Sequence, residues 1–330
     1  VNWLERAVDP DRKHHKPLPN LEDDVFLHVG ATHAKTTRFW VQLVLASVIA
    51  AGGVIGDSTP AVIGAMIIAP LATPIYGLAL AAVVGDRKAL RSSLGLLVGG
   101  IAVNILIGVL LGMITLNRMP IAVNPQIVGR TAPTILDLVV AVATGVAGSF
   151  ALARRDVADI LAGVAIAISL VPVLAVVGIT LGAGQFSLAL GAFILFLANA
   201  AAILIAGAVV FKAAGYAREA VDRDAKAGRR AHIAIIVLVV ILLVPLVGSS
   251  SQILLYEKWT GDAETATTQW LAGTGWKLED VTQSSNEIVI NVIGPGAAPS
   301  AEELKTALRD RIPDYVPISL VQDSGRAEDL

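Results

Sequence analysis

Cysteine is absent from the 330 residues, which excludes disulfides, thiolate metal sites and cysteine nucleophiles together. Histidine is scarce. All five (His14, His15, His28, His33 and His232) lie outside the long apolar runs or at the end of one. Neither a Ser–His pair nor a histidine-based zinc site can therefore form at depth within those runs. No GxxxxGK[ST] stretch occurs, so P-loop nucleotide hydrolysis is excluded. Asp86 in VVGDR lacks the glycine two places before Gly85 that a GxGD aspartyl protease needs, and Ser149 in GVAGSF has no base in its plane. No catalytic residue, cofactor or metal is expected, which leaves secondary transport, a channel or a scaffold. Charge is also sparse, at 16% against about 25% in soluble domains. The first forty residues contain no apolar core of signal-peptide length, so targeting is expected to fall to the first apolar run.

Hydrophobic length is what the chain has in abundance, with 55% apolar residues. Seven runs are long enough to cross a bilayer: Phe39–Gly56, Pro60–Val84, Ser93–Leu116, Thr134–Ala153, Val157–Leu181, Gln185–Phe211 and His232–Gly248. Basic residues crowd alternate connections. Arg6, Arg12, Lys13, Lys16, Lys35 and Arg38 precede the first run. Arg87, Lys88 and Arg91 follow the second, Arg154 and Arg155 the fourth, and a basic stretch from Lys212 to Arg230 the sixth. The opposite loops before the tail hold only Arg118 and Arg130. By the positive-inside rule the N-terminus is cytoplasmic and everything beyond the seventh run is extracytoplasmic, so an inner-membrane location is expected. The domain division is a cytoplasmic arm at 1–38, a membrane domain at 39–250 and an extracytoplasmic domain at 251–330.

The tail changes character. Asp262–Ala272 reads as a helix, Trp276–Val281 and Glu287–Ile293 as strands around an SSN turn. A second helix runs from Ser300 to Ile312, where Ser300 and Glu303 fit a capping box. Val316, Ile318 and Leu320 alternate as a third strand. The order suits a small α+β sandwich with a thin core, expected to lean on the membrane domain or on a copy of itself. Acidic residues outnumber basic ones in it, which argues against nucleic acid or anionic headgroups as partners.

Two prolines interrupt the second run in IGAMIIAPLATPIYG (Ile63–Gly77), where a freed carbonyl is most costly. The fifth run, GVAIAISLVPVLAVVG from Gly163, is built alike: glycine, small and β-branched residues, a break at Pro172, then glycine at Gly178. The run after each carries one buried amide, Asn104 or Asn199, each 13 residues from the first polar residue beyond it. At 1.5 Å per residue that is about 20 Å, near mid-bilayer. The first three runs start inside and the next three outside, so the halves read as an inverted 3+3 repeat around a central site. The candidate solute-binding residues are Pro70, Thr73, Asn104, Ser169, Pro172 and Asn199. The competing reading is packing, since prolines are common in membrane helices and a lone asparagine often joins two of them. Gly52/Gly56, Gly95/Gly99, Gly108/Gly112 and Gly178/Gly182 have GxxxG spacing and read as packing positions.

Asp137, in GRTAPTILDLVVA, is the one acid clearly inside a run, and intramembrane acids are costly. Arg130 is its nearest candidate partner. The two are read either as a structural ion pair or as an outer gate where Arg130 meets an anionic group or Asp137 carries a proton. Asp57 in GDST is a weaker gate candidate, because Asp-Ser-Thr-Pro is also an ordinary helix start. His14 and His15 read as solvated.

IGAMIIAPLATPIYG, GDRKALRSSLG, GRTAPTILDLVVAVATGVAGSFAL, LAGVAIAISLVPVLAVVG and GAFILFLANAAAILIAG, in this order, resemble the bacterial and archaeal membrane family called domain of unknown function 389. The resemblance covers about residues 39–216; the double proline usual in the family's fifth span is here Val171-Pro172. It implies one homologous kind of membrane domain and no particular activity. The expectation is thus an α-helical polytopic membrane protein with seven transmembrane helices and a small extracytoplasmic α+β domain. Its function is read as secondary transport or export of a small polar or anionic solute, or alternatively as a sensor or assembly scaffold that does not transport. The expected partners are a small-molecule substrate, membrane lipid and further copies of the chain, with no nucleic acid.

Overall fold

The computed structural model describes residues 14–115, 124–131, 135–156, 170–223, 258–284, 287–295, 299–309, 311–313 and 316–323. They form two compact units, divided between Leu246 and Val247.

The first unit is helical. In chain order it holds α1 (Leu18–Val25), α2 (Thr32–Ile55), α3 (Thr59–Ile68), α4 (Ala72–Val84), α5 (Arg87–Thr115), α6 (Pro125–Val128), α7 (Ile135–Ala153), α8 (Val171–Gly182), α9 (Phe186–Ala213) and α10 (Tyr216–Arg223). Helices α2, α5, α7 and α9 are long and apolar enough to cross a membrane. The pair α3–α4, bent by 41°, makes a fifth span if taken as one. Their outer surfaces carry bare apolar side chains, among them Val98, Leu106, Ile114 and Leu136, so this is a membrane-embedded bundle. Helix α8 has 12 residues, about 18 Å, too short for a hydrocarbon core of about 30 Å. It is the second half of the expected run Val157–Leu181. The first half, and all of His232–Gly248, lie outside the described residues. Where seven spans were expected, the described residues therefore contain four, or five with the bent pair.

Burial sorts the helices. Every residue of α4 from Pro74 to Val84, and of α8 from Val171 to Thr180, is buried, so these two short helices form the centre of the bundle. Helix α8 lies against α5 and α9, and α4 lies against the same two. Glycine permits the closest of these approaches. A methyl group at Gly178 would sit 2.3 Å from the carbonyl oxygen of Ile105, and one at Gly108 would sit 2.8 Å from that of Ala175. The GxxxG pairs Gly108/Gly112 and Gly178/Gly182 thus pack on one another, as membrane helices with small residues do. Gly52 and Gly95 have no neighbour within 4 Å in this chain, so the packing role expected of them is not seen within one protomer.

The arm before the first span is docked on the bundle from His14 onward. Helix α1 turns Leu18, Leu21 and Val25 inward against α4. His15 forms an isolated antiparallel bridge with Arg154, at the end of α7. The Lys16 N–H donates to Ala153 O (3.0 Å) and the Arg155 N–H to His14 O (3.0 Å). The Tyr216 hydroxyl donates to Lys16 O (2.7 Å). His15 Nε2 lies 2.7 Å from Glu219 Oε1, and its ring stacks on Tyr216 at 4.9 Å. The expectation of a solvated histidine pair is corrected for His15, whose side chain is 13% exposed and partnered. Arg154 donates to both carboxylate oxygens of Asp156 (2.9 and 2.7 Å), and that hydrogen bonding holds the Asp156 carboxyl down to about 2.

The second unit has the expected α-β-β-α-β order: α11 (258–271), β1 (Lys277–Ser284), β2 (Glu287–Ile293), α12 (Ala301–Arg309) and β3 (Ile318–Asp323). The strand order is β1-β2-β3. β1 runs antiparallel to β2, and β3 parallel to it, with Ile288 opposite Ile318 and Ile290 opposite Leu320. The parallel pairing requires a crossover, which α12 supplies. Ile288, Ile290 and Val292 alternate inward along β2. They join Trp259, Ala263, Ala266, Leu304, Leu308 and Ile312 in one core.

Candidate functional site

The break between α3 and α4 follows from its prolines. Helix α3 closes with the Ala69 N–H on Ala65 O (3.0 Å), and Pro70 has no N–H to continue the ladder. The Thr73 N–H turns back to Pro70 O (3.1 Å), and Pro74, also without a donor, lies in the first turn of α4. Helix α4 therefore begins with Ala72 and Thr73 half-buried, and the Ala72 N–H is the one first-turn donor without a helix or turn partner. Leu71, at its start, is 1% exposed. Helix α8 begins in the same way, with Pro172 in its first turn and Leu170 and Val171 buried.

Glycine contacts give the register between these starts. On α5, a side chain at Gly108 would meet Ala175, and one at Gly112 would meet Ile179. Helices α5 and α8 thus run parallel with Gly108 opposite Gly178, and one turn earlier Asn104 lies level with Leu174. On the same stripe, a side chain at Gly100 would meet Leu71, one turn or about 6 Å below Asn104. Gly77 meets Ser93, so α4 runs antiparallel to α5, away from this point. Asn104 therefore stands one turn beyond the starts of α4 and α8, which lie level with Gly100 and Ile101. It is 0% exposed, and neither its Nδ2 nor its Oδ1 has a hydrogen-bond partner. A buried primary amide offers two donors and an acceptor, and leaving them unused costs about 1–3 kcal/mol. Such groups call for an explanation in a ligand, water or function.

Of the six predicted binding residues, Pro70 and Pro172 lie at these two starts, Thr73 is the second residue of α4, and Asn104 lies one turn away. Ser169 lies outside the described residues. Asn199 is 9% exposed with an unpartnered Oδ1, but it sits on another seam: Ile203, one turn on, packs at Gly145 of α7. Sequence reasoning missed Tyr76. Its hydroxyl is buried and unpartnered, while its ring lies against Gly207 of α9. The available signal was a lone phenol in an otherwise apolar half-helix. Among the described residues no three His, Asp or Glu side chains group closely enough to hold a metal.

Residues 66–205, which take in the break, Asn104, Pro172 and Asn199, match the family described as Domain of unknown function (DUF389). This segment belongs to that family. Over 212 residues the chain is also 33% identical to an uncharacterised protein of Methanocaldococcus jannaschii, a match covering 64% of this chain and 62% of the relative. The match thus spans less than two thirds of the relative's length. No solved structure matches.

The DUF389 segment also contains the predicted gate residues Arg130 and Asp137. They lie at the bundle end where α2 turns into α3, and Asp57 sits in that turn, exposed and left-handed at φ 46°. The short helix α6 is tied to the turn. Asn124 caps it by accepting from the Gln126 N–H (2.9 Å) and donates to Val54 O (2.9 Å), while Gln126 donates to Thr59 Oγ1 (2.9 Å). Arg130 donates through one guanidinium nitrogen to the backbone oxygen (2.8 Å) and side-chain oxygen (2.9 Å) of Gln126. The anticipated pair with Asp137 is not formed; Asp137, in the first turn of α7, has a partner of its own. Burial pulls the Arg130 guanidinium below its usual range, because no carboxylate among the described residues offsets its desolvation. Asn124 and Gln126 hold this end together and were not anticipated from the sequence.

Proposed function

We propose that this chain is a secondary transporter or exporter of a small polar or anionic solute, with its site at the seam where α4 and α8 begin, one turn from Asn104. The observation that carries the reading is the fully buried, wholly unpartnered amide of Asn104 beside two proline-started half-helices. Non-helical backbone at membrane depth is tolerated where it is buried in protein or lines a cavity. Broken helices at matched positions are the usual sign of a transporter's central site. An inverted repeat of α2–α5 with α7–α9 is supported by the packing, because each buried half-helix touches the last span of both halves. In this reading the protein is not an enzyme. It lies in the inner membrane with the His14–Arg154 end cytoplasmic, the Arg130 end outside and the C-terminal unit extracytoplasmic. It works among lipids as a homo-oligomer, and Arg130, Asp137 and Asp57 guard the outer mouth.

A second reading, a sensor or assembly scaffold that does not transport, draws on the C-terminal unit. That unit has its own core and a cavity of about 600 Å3 lined by Leu304, Leu308, Ile312, Ile318 and Leu320 with Lys305 and Arg309.

The cysteine-free chain makes a direct test available. Single cysteines at Asn104 and Ser169, with lipid-side Leu106 as control, are probed by a membrane-impermeant thiol reagent from each face of oriented vesicles. Transport predicts labelling of both sites and not of the control. A folded protein unlabelled at both from both faces favours the scaffold.

A further inference from the structure

We infer that the outer edge of β3, in the C-terminal unit, is an interface at which two copies of this chain join edge to edge into one continuous sheet. The inference does not rest on transport; it gives the homo-oligomer of that reading a contact surface. The two edges of the sheet are built differently. β1 forms one and β3 the other, and among the described residues no strand pairs beyond either. Open strand edges invite further pairing, which bulges and charged side chains ordinarily prevent. The β1 edge has both. Its register slips between Leu278 and Asp280, and Lys277, Glu279 and Asp280 are exposed along it. The β3 edge has neither. Its register on β2 is unbroken from Ile318 to Asp323, and Ile318, Ser319, Leu320, Val321 and Gln322 carry no charge. Ile318 is 37% and Val321 49% exposed. The cavity of about 600 Å3 lies along this same strand, lined by Ile318 and Leu320 and by α12.

A second copy is the occupant that this edge suits. A two-fold axis beside β3 sets the two strands antiparallel, about 4.8 Å apart, and asks one surface only to match itself. An uncharged strand can do so, whereas pairing through β1 would crowd Glu279 and Asp280 of both copies together. Alternation puts Ile318 and Leu320 on the face with α12, so the two copies bring these side chains together along the cavity, while Val321 lies on the opposite face. The charges of α12 fit the same axis. Glu302 and Glu303 occupy its first turn and Arg309 its last, all three exposed, and Glu302 and Arg309 both border the cavity. Lys305, between them, lies 3.9 Å from Glu302 of its own helix. The axis runs the two helices antiparallel, which turns the acidic end of each toward the basic end of the other.

The test uses the full chain in lipid-rich vesicles, with single cysteines at Ser319, Leu320, Val321 or Gln322 and at the exposed Thr282 of β1 as reference. Disulfide-linked dimer is followed under mild oxidation. Strand pairing brings Cα atoms near the axis within the roughly 4.4–6.8 Å that a disulfide requires. Fast cross-linking is therefore expected at one or two adjacent positions of β3, falling off on either side, and not at Thr282. Adding Val321→Lys, or Gln322→Lys where Val321 holds the cysteine, is expected to slow it about tenfold, in variants that elute and melt as the parent does. No cross-link at any β3 position, equal rates at all positions, or no slowing by lysine overturns this interface. Missing cross-links with the β3 cysteines also shielded from a soluble thiol reagent overturn it in favour of a different occupant. Glutaraldehyde treatment of the parent in the same vesicles separates the causes: a dimer there places the contact on another face, and a monomer overturns the homo-oligomer as well.

Discussion

Replacing Gly178 by alanine adds one methyl group at the tightest point of the bundle. That methyl would lie 2.3 Å from Ile105 O and 2.7 Å from the Gly108 Cα, about 1 Å inside van der Waals contact. Both obstacles are backbone of a long helix, so no side chain can swing aside. Helix α8 must move off α5, and overpacking of this kind costs about 1–3 kcal/mol. The gain of about 1 kcal/mol that alanine usually brings over glycine in a helix offsets only part of it. Gly95→Ala is the matched control, because nothing lies within 4 Å of that position; it should stabilise by about 0.5–1 kcal/mol. The two variants are compared by thermal and denaturant unfolding in one detergent. Opposite signs are expected, with Gly178→Ala the less stable by about 2 kcal/mol in total. Equal midpoints for Gly178→Ala and the parent would refute the α5–α8 register and, with it, the placing of Leu174 beside Asn104. A loss of stability at Gly95→Ala, seen only at high protein concentration, would instead place a second copy of the chain on that face.

Two further outcomes are expected. Asn104→Leu replaces the unpartnered buried amide by an apolar side chain with the same branching, so stability should rise by about 1 kcal/mol while any solute movement measured in vesicles is lost. A fall in stability would show that the amide has a structural partner. Tyr216→Phe deletes the hydroxyl bonds to Lys16 O and Ala153 O, costing about 1 kcal/mol, and limited proteolysis before α2 should quicken. Burial raises the Tyr216 phenol above its ordinary 10.0. Its contribution is therefore complete below pH 10 and lost as pH rises through the folded-state value. The parent's arm should loosen with alkali in a way that the phenylalanine variant does not, and identical alkaline profiles would contradict this.

Much of the bundle was legible because lipid imposes a length and a hydropathy on each span. α5, α7 and α9 sit within their expected runs to a few residues, apart from the polar turn Arg87–Ser92 by which α5 begins early. Helix α2 begins at Thr32 rather than Phe39, since the polar turn Thr32–Arg38 contains no breaker and extends the helix beyond its apolar stretch. The break at Pro70 and the start at Pro172 were legible for a covalent reason: proline has no N–H wherever it sits. The C-terminal order was legible because alternation along Glu287–Ile293 and the apolar stripe Leu304, Leu308 and Ile312 are local patterns.

Neighbour relations had no such local signature. The apolar runs determined that the chain enters a membrane, how long its spans are and where two of them break, because each property is written in the residues of a single segment. Which breaks meet was decided by tertiary structure alone. The α5–α8 register set by Gly108 and Gly178 brings Asn104 to Leu174 and leaves Asn199 on another seam, although the two amides look alike in sequence. In the same way Arg130 turned to Gln126 rather than Asp137, and His15 to Glu219 and Tyr216 across some two hundred residues. These choices depend on backbone approach distances between segments remote in the chain, and no single segment encodes a distance to another.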